Sequence, residues 1–493
     1  MPINALLTFC KDSDLSKDKM VWQKAIEESD NNSLAHYLDD IYQSISRNVV
    51  ITQLDYIEKL RQFTAFVFLC FAKEKQQEWA ARLIHAYAEL NTQTLWHDYQ
   101  VVNAYLALNA HLLQQTVKLI DPKQYPSGMS PCVWTGHLQS ANLPQPVFHA
   151  ETGAVWALYA KLCHQDELMQ NAIKLANWQL NTLDGDAEPF VSLYTQEKDA
   201  SYFLHVKSNY LLFQTIARLC ALSQFEEAAL KQLPLLQNCL DEGGHYLDPL
   251  FLLFCQILEN WPIPPKSSEF LLPHQIRDDY TALIGHRFAH TASIATLIGG
   301  QTGLGSYHYK DIKVTNFGPQ FLPLGQCDAF GIEKGCSLHN KNPNAIVLDS
   351  TNTGYRIKGT VPLVSVSKNN FSGTWMDVEQ KCDEKGLDVQ IEFLGVASLQ
   401  NVAFCFYVSA QDCLIDQNVN IRPLSLDRYC GPCLPVVFHS GDRSLMLSSL
   451  SGSTTMEVIP LAGGDNFWCA DFLIAYHISE DLKKSLWQIR PNE

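Results

Sequence analysis

The hydrophobic periodicity of the chain changes once, between about residues 260 and 292, and this change constrains the fold more than any other feature. Before it, apolar residues recur at helical spacing, as in Leu34, Tyr37, Leu38, Ile41, Tyr42 and Ile45. After it, short alternating runs such as 387–393 and 436–440 are separated by turn residues, which is typical of strands. A chain of 493 residues exceeds one ordinary core, so we expect two domains.

The first part predicts about twelve helices and the second part about a dozen or more short strands. A bundle, a solenoid and a closed toroid all fit the helices, whereas many short antiparallel strands favour a β-sandwich. Between the two parts, the segment 260–273 carries four prolines, which stop a helix and favour extended backbone. We interpret this segment as an interdomain linker or strap.

Charge and targeting signals exclude several classes of function. The net charge is −16, and 20 basic against 32 acidic residues precede position 286, so we expect no nucleic-acid partner. No secretory signal and no apolar run of transmembrane length is visible. Fifteen cysteines scattered through predicted helices and strands indicate buried free thiols in a reducing compartment. These features predict a cytoplasmic protein without a membrane span, with export by a non-classical route left open.

A helical part that precedes a sandwich resembles the polysaccharide lyases of the heparinase II/III and chondroitin/alginate lyase type. Two stretches carry this resemblance: 151–189, which resembles the paired helices and loop of (α/α) toroid enzymes, and 303–320, which resembles the first sandwich strands. The resemblance implies an α+β chain with an N-terminal all-α, (α/α) toroid-like domain over residues 1–285 and a large antiparallel β-sandwich over residues 286–493. It also implies an oligo- or polysaccharide ligand in the helical cleft and cleavage of uronate-containing chains by β-elimination.

A uronate lyase must neutralise the substrate carboxylate, remove the adjacent proton and protonate the leaving oxygen. The segment around residue 205 offers these groups, because Tyr202, His205 and Asn209 fall on one face of a predicted helix. We expect His205 to act as the base, Asn209 as the neutralising group, and Tyr202 or Tyr210 as the proton relay. Polar residues that cap and pack a helix start provide the alternative explanation.

Further residues are expected to contact the sugar. His149 and Glu151 precede a predicted helix, where Glu151 fits either a pocket or a helix N-terminus. The candidates for substrate binding are His149, Glu151, Tyr194, Glu197 and Lys207. No cofactor is expected, because the phosphate-binding glycine pattern GxxxxGK[ST] is absent.

Two motifs suggest other chemistry. His286 and His290 have the i, i+4 spacing of a helical metal pair, but Arg287 stands where HExxH requires Glu. We therefore expect interdomain polar packing, assign no metal, and keep the pair as a secondary candidate site. Cys430-Gly431-Pro432-Cys433 matches a redox tetrad. The residues that follow it look like a strand, whereas dithiol chemistry needs a helix N-terminus. We therefore interpret the tetrad as a Gly-Pro turn between strands that carries two thiols, which form either a local disulfide or half of a metal site.

Two other functions remain open beside the lyase. A glycoside hydrolase would use two carboxylates, and Asp184 and Asp186 on a predicted turn, with Glu197 nearby, are the pair to examine. A non-catalytic scaffold would present a groove in the helical part and a carbohydrate-binding-like sandwich. The lyase requires His and Tyr beside an amide or Arg, whereas the scaffold requires an exposed apolar patch.

Overall fold

The computed structural model describes the following residues: 43, 52–72, 76–92, 99–115, 122–131, 145–193, 202–241, 247–265, 272–279, 283–296, 303–321, 330–332, 346–365, 370–395, 402–416, 419–461, 468–478 and 484–492. The chain divides into two compact units. The helical unit takes Met1–Trp134, Val147–Asn177 and Val206–Phe270, and the sandwich unit takes Thr135–Pro146, Trp178–His205 and Leu271–Glu493. The segment Trp178–His205, which the sequence analysis assigns to the helical domain, thus belongs to the sandwich unit.

Within the described ranges, the first half of the chain consists of α-helices, as the periodicity predicts. They are α1 Gln53–Ala72, α2 Gln76–Thr92, α3 Gln100–Leu112, α4 Pro146–Leu162, α5 Asp166–Gln179, α6 Tyr202–Cys220, α7 Ser223–Asp241 and α8 Pro249–Glu259. Helix α8 begins with a complete N-terminal signal: the Asp248 side chain accepts a hydrogen bond from the Phe251 amide, and proline follows at the first helical position. The prolines after Trp261 prevent a further helical turn.

The helical unit is held by aromatic packing between consecutive helices. The rings of Phe66 on α1 and Trp79 on α2 meet edge to face at 5.6 Å between centroids. The rings of Phe213 on α6 and Phe225 on α7 stack at 6.0 Å. Tyr56 donates a 2.7 Å hydrogen bond to the Leu90 carbonyl, so its polar end is satisfied inside the core.

The second half forms two antiparallel sheets. One sheet has nine strands in the order β1 Gln275–Asp278, β2 Leu283–Arg287, β3 Thr291–Thr296, β4 Gly305–Tyr309, β5 Ile312–Phe321, β11 Val402–Ser409, β18 Phe472–Ile478, β17 Ser453–Pro460 and β14 Tyr429–Pro432. The other has ten, in the order β13 Val419–Ile421, β12 Asp412–Ile415, β15 Val436–Ser440, β16 Arg443–Ser451, β19 Lys484–Asn492, β10 Gly386–Gly395, β9 Asn370–Asp383, β8 Gly354–Ser365 and β6 Phe330–Ile332, with β7 Ile346–Thr351 also paired to β8.

The two sheets share one apolar core, which confirms the predicted β-sandwich. Alternate residues of β10, Leu387, Val389, Ile391 and Phe393, point into this core from the ten-stranded sheet. From the nine-stranded sheet, Phe404 on β11 stacks on Trp487 of β19 at 4.3 Å between ring centroids. The order of a helical part followed by a sandwich is therefore as predicted.

Several local predictions are wrong. The sequence also predicts a short helical tail over residues 480–487, but strand β19 begins at Lys484, and Ser485 and Trp487 are buried in the alternation of a strand. Cys430, Gly431 and Pro432 lie in strand β14, at the edge of the nine-stranded sheet, instead of forming a turn. Both tetrad cysteines are free thiols, and Cys430 is exposed. Proline is tolerated there because an edge strand has one unpaired side.

Candidate functional site

The segment that follows helix α5 forms a short, tightly bonded turn. After α5 ends at Gln179, a 3₁₀ turn spans Leu180–Thr182, and Leu183 pairs with Pro189 in an isolated β-bridge. The Asp184 carboxylate closes the loop between them, since its Oδ1 accepts hydrogen bonds from the amides of Asp186 and Glu188, both at 2.9 Å. The Asp-Gly-Asp sequence thus forms the predicted turn, and the turn fixes the direction of the Asp184 side chain.

Polar side chains occupy the face of the nine-stranded sheet that points away from the sandwich core. Tyr307 on β4 belongs to the core, so its neighbours Ser306 and His308 point to the opposite face. The segment after α5 reaches this outer face: the hydroxyl groups of Ser306 and Ser192 form a hydrogen bond of 2.6 Å. The sandwich unit therefore buries a polar layer outside its apolar core.

The centre of this layer is a carboxylate–imidazole pair. Asp184 Oδ2 and His308 Nδ1 are 2.8 Å apart, and the side chains are 8% and 3% exposed. Burial acts to raise the pKa of Asp184, but the hydrogen bond and charge of His308 outweigh it and hold the pKa below its ordinary value of 3.8. The Asp184 carboxylate is thus kept ionised and orients the imidazole ring.

The other ring nitrogen of His308 is buried, and within the described part of the chain it has no hydrogen-bond partner. The ring lies 4.8 Å from that of Phe190, which fixes its plane. Asn316 Oδ1, on the neighbouring strand β5, is a second buried polar atom without a described partner. Because leaving a buried polar atom unpaired costs free energy, such atoms call for an explanation.

Arg287 on β2 ties the turn to the sheet. Its guanidinium donates to the carbonyl oxygens of Leu180 at 2.6 Å, Leu183 at 2.9 Å, and Pro273. Burial lowers the pKa of Arg287 to about 10, and the charge of Asp184 opposes this shift. Ala292 on β3 pairs with Arg287 on β2 at one side and with His308 on β4 at the other side. Arg287 and His308 therefore lie two strands apart, about 10 Å by the usual strand spacing.

Two lysines close the outer side of the turn. Lys310 Nζ lies 2.9 Å from Asp186 Oδ2, and Lys313 is paired with Glu188. Burial acts to lower the pKa of Lys313, but the charge of Glu188 outweighs it and raises the pKa. Each acidic residue of the turn thus has a cationic partner.

His205, the predicted base, is fully buried in the sandwich unit beside the same turn. Its Nε2 lies 3.2 Å from Gln179 Nε2 and 3.3 Å from Thr182 Oγ1. The Gln179 amide also donates to the Pro146 carbonyl at 3.2 Å. Because the amide nitrogen carries only protons to donate, His205 Nε2 accepts, which assigns the proton of the neutral ring to Nδ1.

The other three predicted catalytic residues also lie on α6, so the predicted helix is present. Tyr202 is half-buried in the sandwich unit and packs on a small apolar cluster with Val191 and Tyr407. Asn209 and Tyr210 belong to the helical unit and are buried there, with the Tyr210 ring 5.9 Å from that of Phe251. Burial raises the pKa of Tyr210. The catalytic roles of the four residues remain a prediction.

Two of the predicted sugar-binding residues take part in ion pairs of the helical unit. Both Glu151 oxygens bind Arg61, at 2.7 Å to Nε and 2.6 Å to Nη2, and the Tyr105 hydroxyl also donates to Glu151. Lys207 is paired with Asp248. Burial acts to raise the pKa of Asp248, but Lys207 outweighs it and lowers the pKa below 3.8.

The remaining sugar-binding candidates are placed differently. Helix α4 begins at Pro146, so His149 and Glu151 lie inside it, and the expected position of Glu151 before the helix is wrong. His149 is buried. Tyr194 and Glu197 lie outside the described residues.

His286 and His290, whose i, i+4 spacing suggested a helical metal pair, do not lie on a helix. His286 lies in strand β2 and His290 in the bend after it, so the helical i, i+4 geometry is absent. Across the described ranges, no cluster of three or more His, Cys, Asp or Glu could hold a metal ion. The same residues contain no helix that is long and apolar enough to cross a membrane.

Asp184 and Asp186, the two carboxylates of the hydrolase hypothesis, both have side-chain partners in the structure. Both oxygens of Asp184 accept hydrogen bonds, and its lowered pKa is opposite to the raised pKa that a general acid needs. Asp186 is 60% exposed and paired with Lys310. Sequence reasoning missed His308, Arg287, Arg61 and Tyr105. The signal available for His308 was its place beside Tyr307 in the alternating run 305–309, which puts the two residues on opposite faces.

Comparison with known proteins gives matches only among solved structures. No protein-family model matches the chain, and no curated protein matches it at a significant level. A mutant of heparan sulfate lyase HepC from Pedobacter heparinus is similar with a TM-score of 0.46 and 10% identity, over 98% of this chain and 78% of that chain. Heparan sulfate lyase HepC itself is similar with a TM-score of 0.45 and 10% identity, over 96% of this chain and 75% of that chain.

Proposed function

We propose that this chain is a carbohydrate-active protein that cleaves a uronate-containing oligosaccharide by β-elimination, with His308 as a proton-transfer group. The observation that carries the proposal is the Asp184–His308 pair, in which Nδ1 is held at 2.8 Å by a carboxylate and Nε2 has no described partner. An imidazole held in this way at one nitrogen can exchange a proton at the other.

The carboxylate determines which way the proton moves. Asp184 accepts a hydrogen bond from Nδ1 of His308, so the neutral ring carries its proton on Nδ1 and presents the lone pair of Nε2. Proton abstraction by Nε2 then produces an imidazolium that the ionised Asp184 stabilises. The buried charge of Arg287, in the same row of the sheet, adds positive potential to this region, which favours an anionic substrate.

The choice of a uronate chain rests on chemistry and on the sequence resemblance. Elimination needs a carboxylate beside the C–H that is broken, which uronates supply. The domain order and the stretches 151–189 and 303–320 resemble uronate lyases. Since His308 is only 3% exposed, substrate access to Nε2 requires displacement of the chain that covers it.

The test is an elimination assay on a panel of uronate-containing oligosaccharides and polysaccharides. Each elimination creates an unsaturated uronate whose ultraviolet absorbance is followed continuously, while a reducing-end assay reports hydrolysis as well. The variant is His308→Gln, and the matched control is His439→Gln, a half-buried strand histidine in the other sheet. We expect an absorbance increase that His308→Gln reduces by about a hundredfold or more and His439→Gln leaves unchanged.

Three results would contradict parts of the proposal. An increase that survives His308→Gln keeps the lyase and removes this residue from its mechanism, in which case His205→Gln is the next variant. Reducing ends without absorbance indicate a hydrolase. If neither absorbance nor reducing ends increase with any member of the panel, catalysis on uronates is rejected and the scaffold hypothesis is favoured.

A further inference from the structure

The helical unit contains a half-open cavity whose lining includes none of the candidate site residues described above. It lies where two helical hairpins end, α4 with α5 and α6 with α7, and its volume is about 550 Å³. Each hairpin turn contains a residue in the left-handed conformation, His164 with φ 55° and Ala221 with φ 57°. A cavity of this size is in the range that accommodates small organic ligands.

The lining of the cavity combines apolar and polar side chains in similar proportion. The apolar walls come from Met169, Ile173, Leu219 and Leu222. Three carboxamides, those of Gln165, Gln170 and Gln224, add groups that both donate and accept hydrogen bonds. This combination suits a ligand with an aliphatic body and a polar end.

Lys161 provides the charge that identifies the polar end. Its ammonium donates a 3.2 Å hydrogen bond to the Leu219 carbonyl and lies 4.8 Å from the centroid of the Trp261 ring. Within the described ranges, no carboxylate lies in ion-pair distance of it, although three other lysines, Lys207, Lys310 and Lys313, all have such partners. One carbonyl uses one of the three ammonium protons, so two remain for a ligand.

Asp166, the acidic residue of the lining, is not an ion-pair partner of Lys161. Asp166 lines the cavity and lies in the first turn of α5, where its charge interacts favourably with the helix dipole. His164, the other basic residue of the lining, is exposed at the rim. The cation of the lining that has no carboxylate partner within the described ranges is thus Lys161, beside a group of apolar side chains.

We infer that this cavity binds an aliphatic monocarboxylate, with the carboxylate on Lys161 and the hydrocarbon chain against the apolar walls. The carboxylate supplies the charge that Lys161 lacks, and the chain removes the apolar walls from water. This site does not depend on the proposed elimination chemistry, because it lies wholly within the helical unit.

The experiment compares octanoate with octan-1-ol by isothermal titration calorimetry on the full-length chain. We expect saturable binding of octanoate that is at least about tenfold tighter than that of octan-1-ol, and that weakens as salt is added. Lys161→Met should reduce octanoate affinity to that of the alcohol. The matched control is Lys174→Met, which removes an exposed lysine of α5 outside the cavity.

A second variant guards against loss of the hydrogen bond that Lys161 donates to Leu219. Gln170→Trp, at an exposed rim position, should weaken both ligands by narrowing the mouth, and circular dichroism should report a folded helical unit. No saturable octanoate binding by the folded wild type overturns the inference. Equal affinities for octanoate and octan-1-ol, or octanoate binding that Lys161→Met leaves unchanged, overturn the assignment of the carboxylate to Lys161.

Discussion

Asp184 and His308 are 124 positions apart in the sequence, yet their side chains form a 2.8 Å hydrogen bond inside the sandwich unit. The turn at Asp184 fixes one partner, and the alternation of strand β4 fixes the other. Each partner is thus placed by a local rule, and the hydrogen bond joins two elements that are remote in the sequence. Its loss should therefore be measurable in the stability of the chain.

Replacing the Asp184 carboxylate should destabilise the sandwich unit. Asp184→Asn removes a charge-assisted bond to His308 and weakens the acceptor for two amides, so we expect the free energy of unfolding to fall by about 2 kcal/mol. Asp186→Asn is the control, because its side chain is 60% exposed and its ion pair with Lys310 is worth less than about 1 kcal/mol. Urea unfolding of both variants checks this, and equal losses would show that the buried pair contributes nothing special.

The same carboxylate should make stability sensitive to acid. The pKa of Asp184 is lower in the folded chain than its ordinary value of 3.8, so its stabilisation is fully present above that value. It is lost as the pH falls through the lower, folded pKa, because the proton then binds the folded state as well. Wild type should therefore exceed Asp184→Asn in stability at neutral pH, and the two curves should converge in acid. A difference that stays constant down to the most acidic measurable pH would contradict this linkage.

Sequence periodicity was sufficient for the classes of structure and for most elements. Leu387, Val389, Ile391 and Phe393 alternate so regularly that only a strand buries them together, and the structure has one at Gly386–Gly395. The helix that the sequence predicts for Tyr202, His205 and Asn209 is likewise present, as α6. By contrast, the short apolar run that includes Trp487 fits a helix as well as a strand until its sheet partner is known, and the structure has strand β19 there.

The candidate site depends on contacts that periodicity does not encode. Asp184 was identified as a turn residue, and Glu151 and Lys207 as charged residues of interest, but their partners His308, Arg61 and Asp248 come from distant segments. A spacing rule relates residues a few positions apart, whereas Arg61 and Glu151 are 90 positions apart. The residues around position 205 were grouped because they share one face of a helix. Sharing a face does not indicate that His205 is buried against Gln179.

Among the ion pairs of the described part of the helical unit, the Arg61–Glu151 pair should be the strongest. Its side chains are 18% and 7% exposed, and the pairing is bidentate. Glu151→Gln leaves the Arg61 charge partly buried without its carboxylate, so we expect a loss of about 3 kcal/mol in the free energy of unfolding. Glu58→Gln removes the other carboxylate that contacts Arg61, which is 49% exposed, and should cost less than about 1 kcal/mol. Thermal and urea unfolding distinguish these outcomes, and a similar cost for both variants would show that burial does not strengthen the pair.

Two turn glycines of the sandwich form a matched test of backbone strain against steric contact. Gly441 has φ of 60° with open space where a Cβ would stand, whereas Gly452 has φ of 88° and its Cβ would lie 2.4 Å from the Lys484 carbonyl oxygen. Both positions carry the cost of a left-handed residue, so Gly441→Ala should lower the free energy of unfolding by about 1 kcal/mol. Gly452→Ala must also displace backbone of strand β19, so it should cost at least about 2 kcal/mol more and disturb the pairing of β16 with β19. Hydrogen exchange at Lys484 and Ser485 would report that disturbance. Equal costs for the two alanines would mean that the sheet relaxes around Gly452, and that the strain there is only conformational.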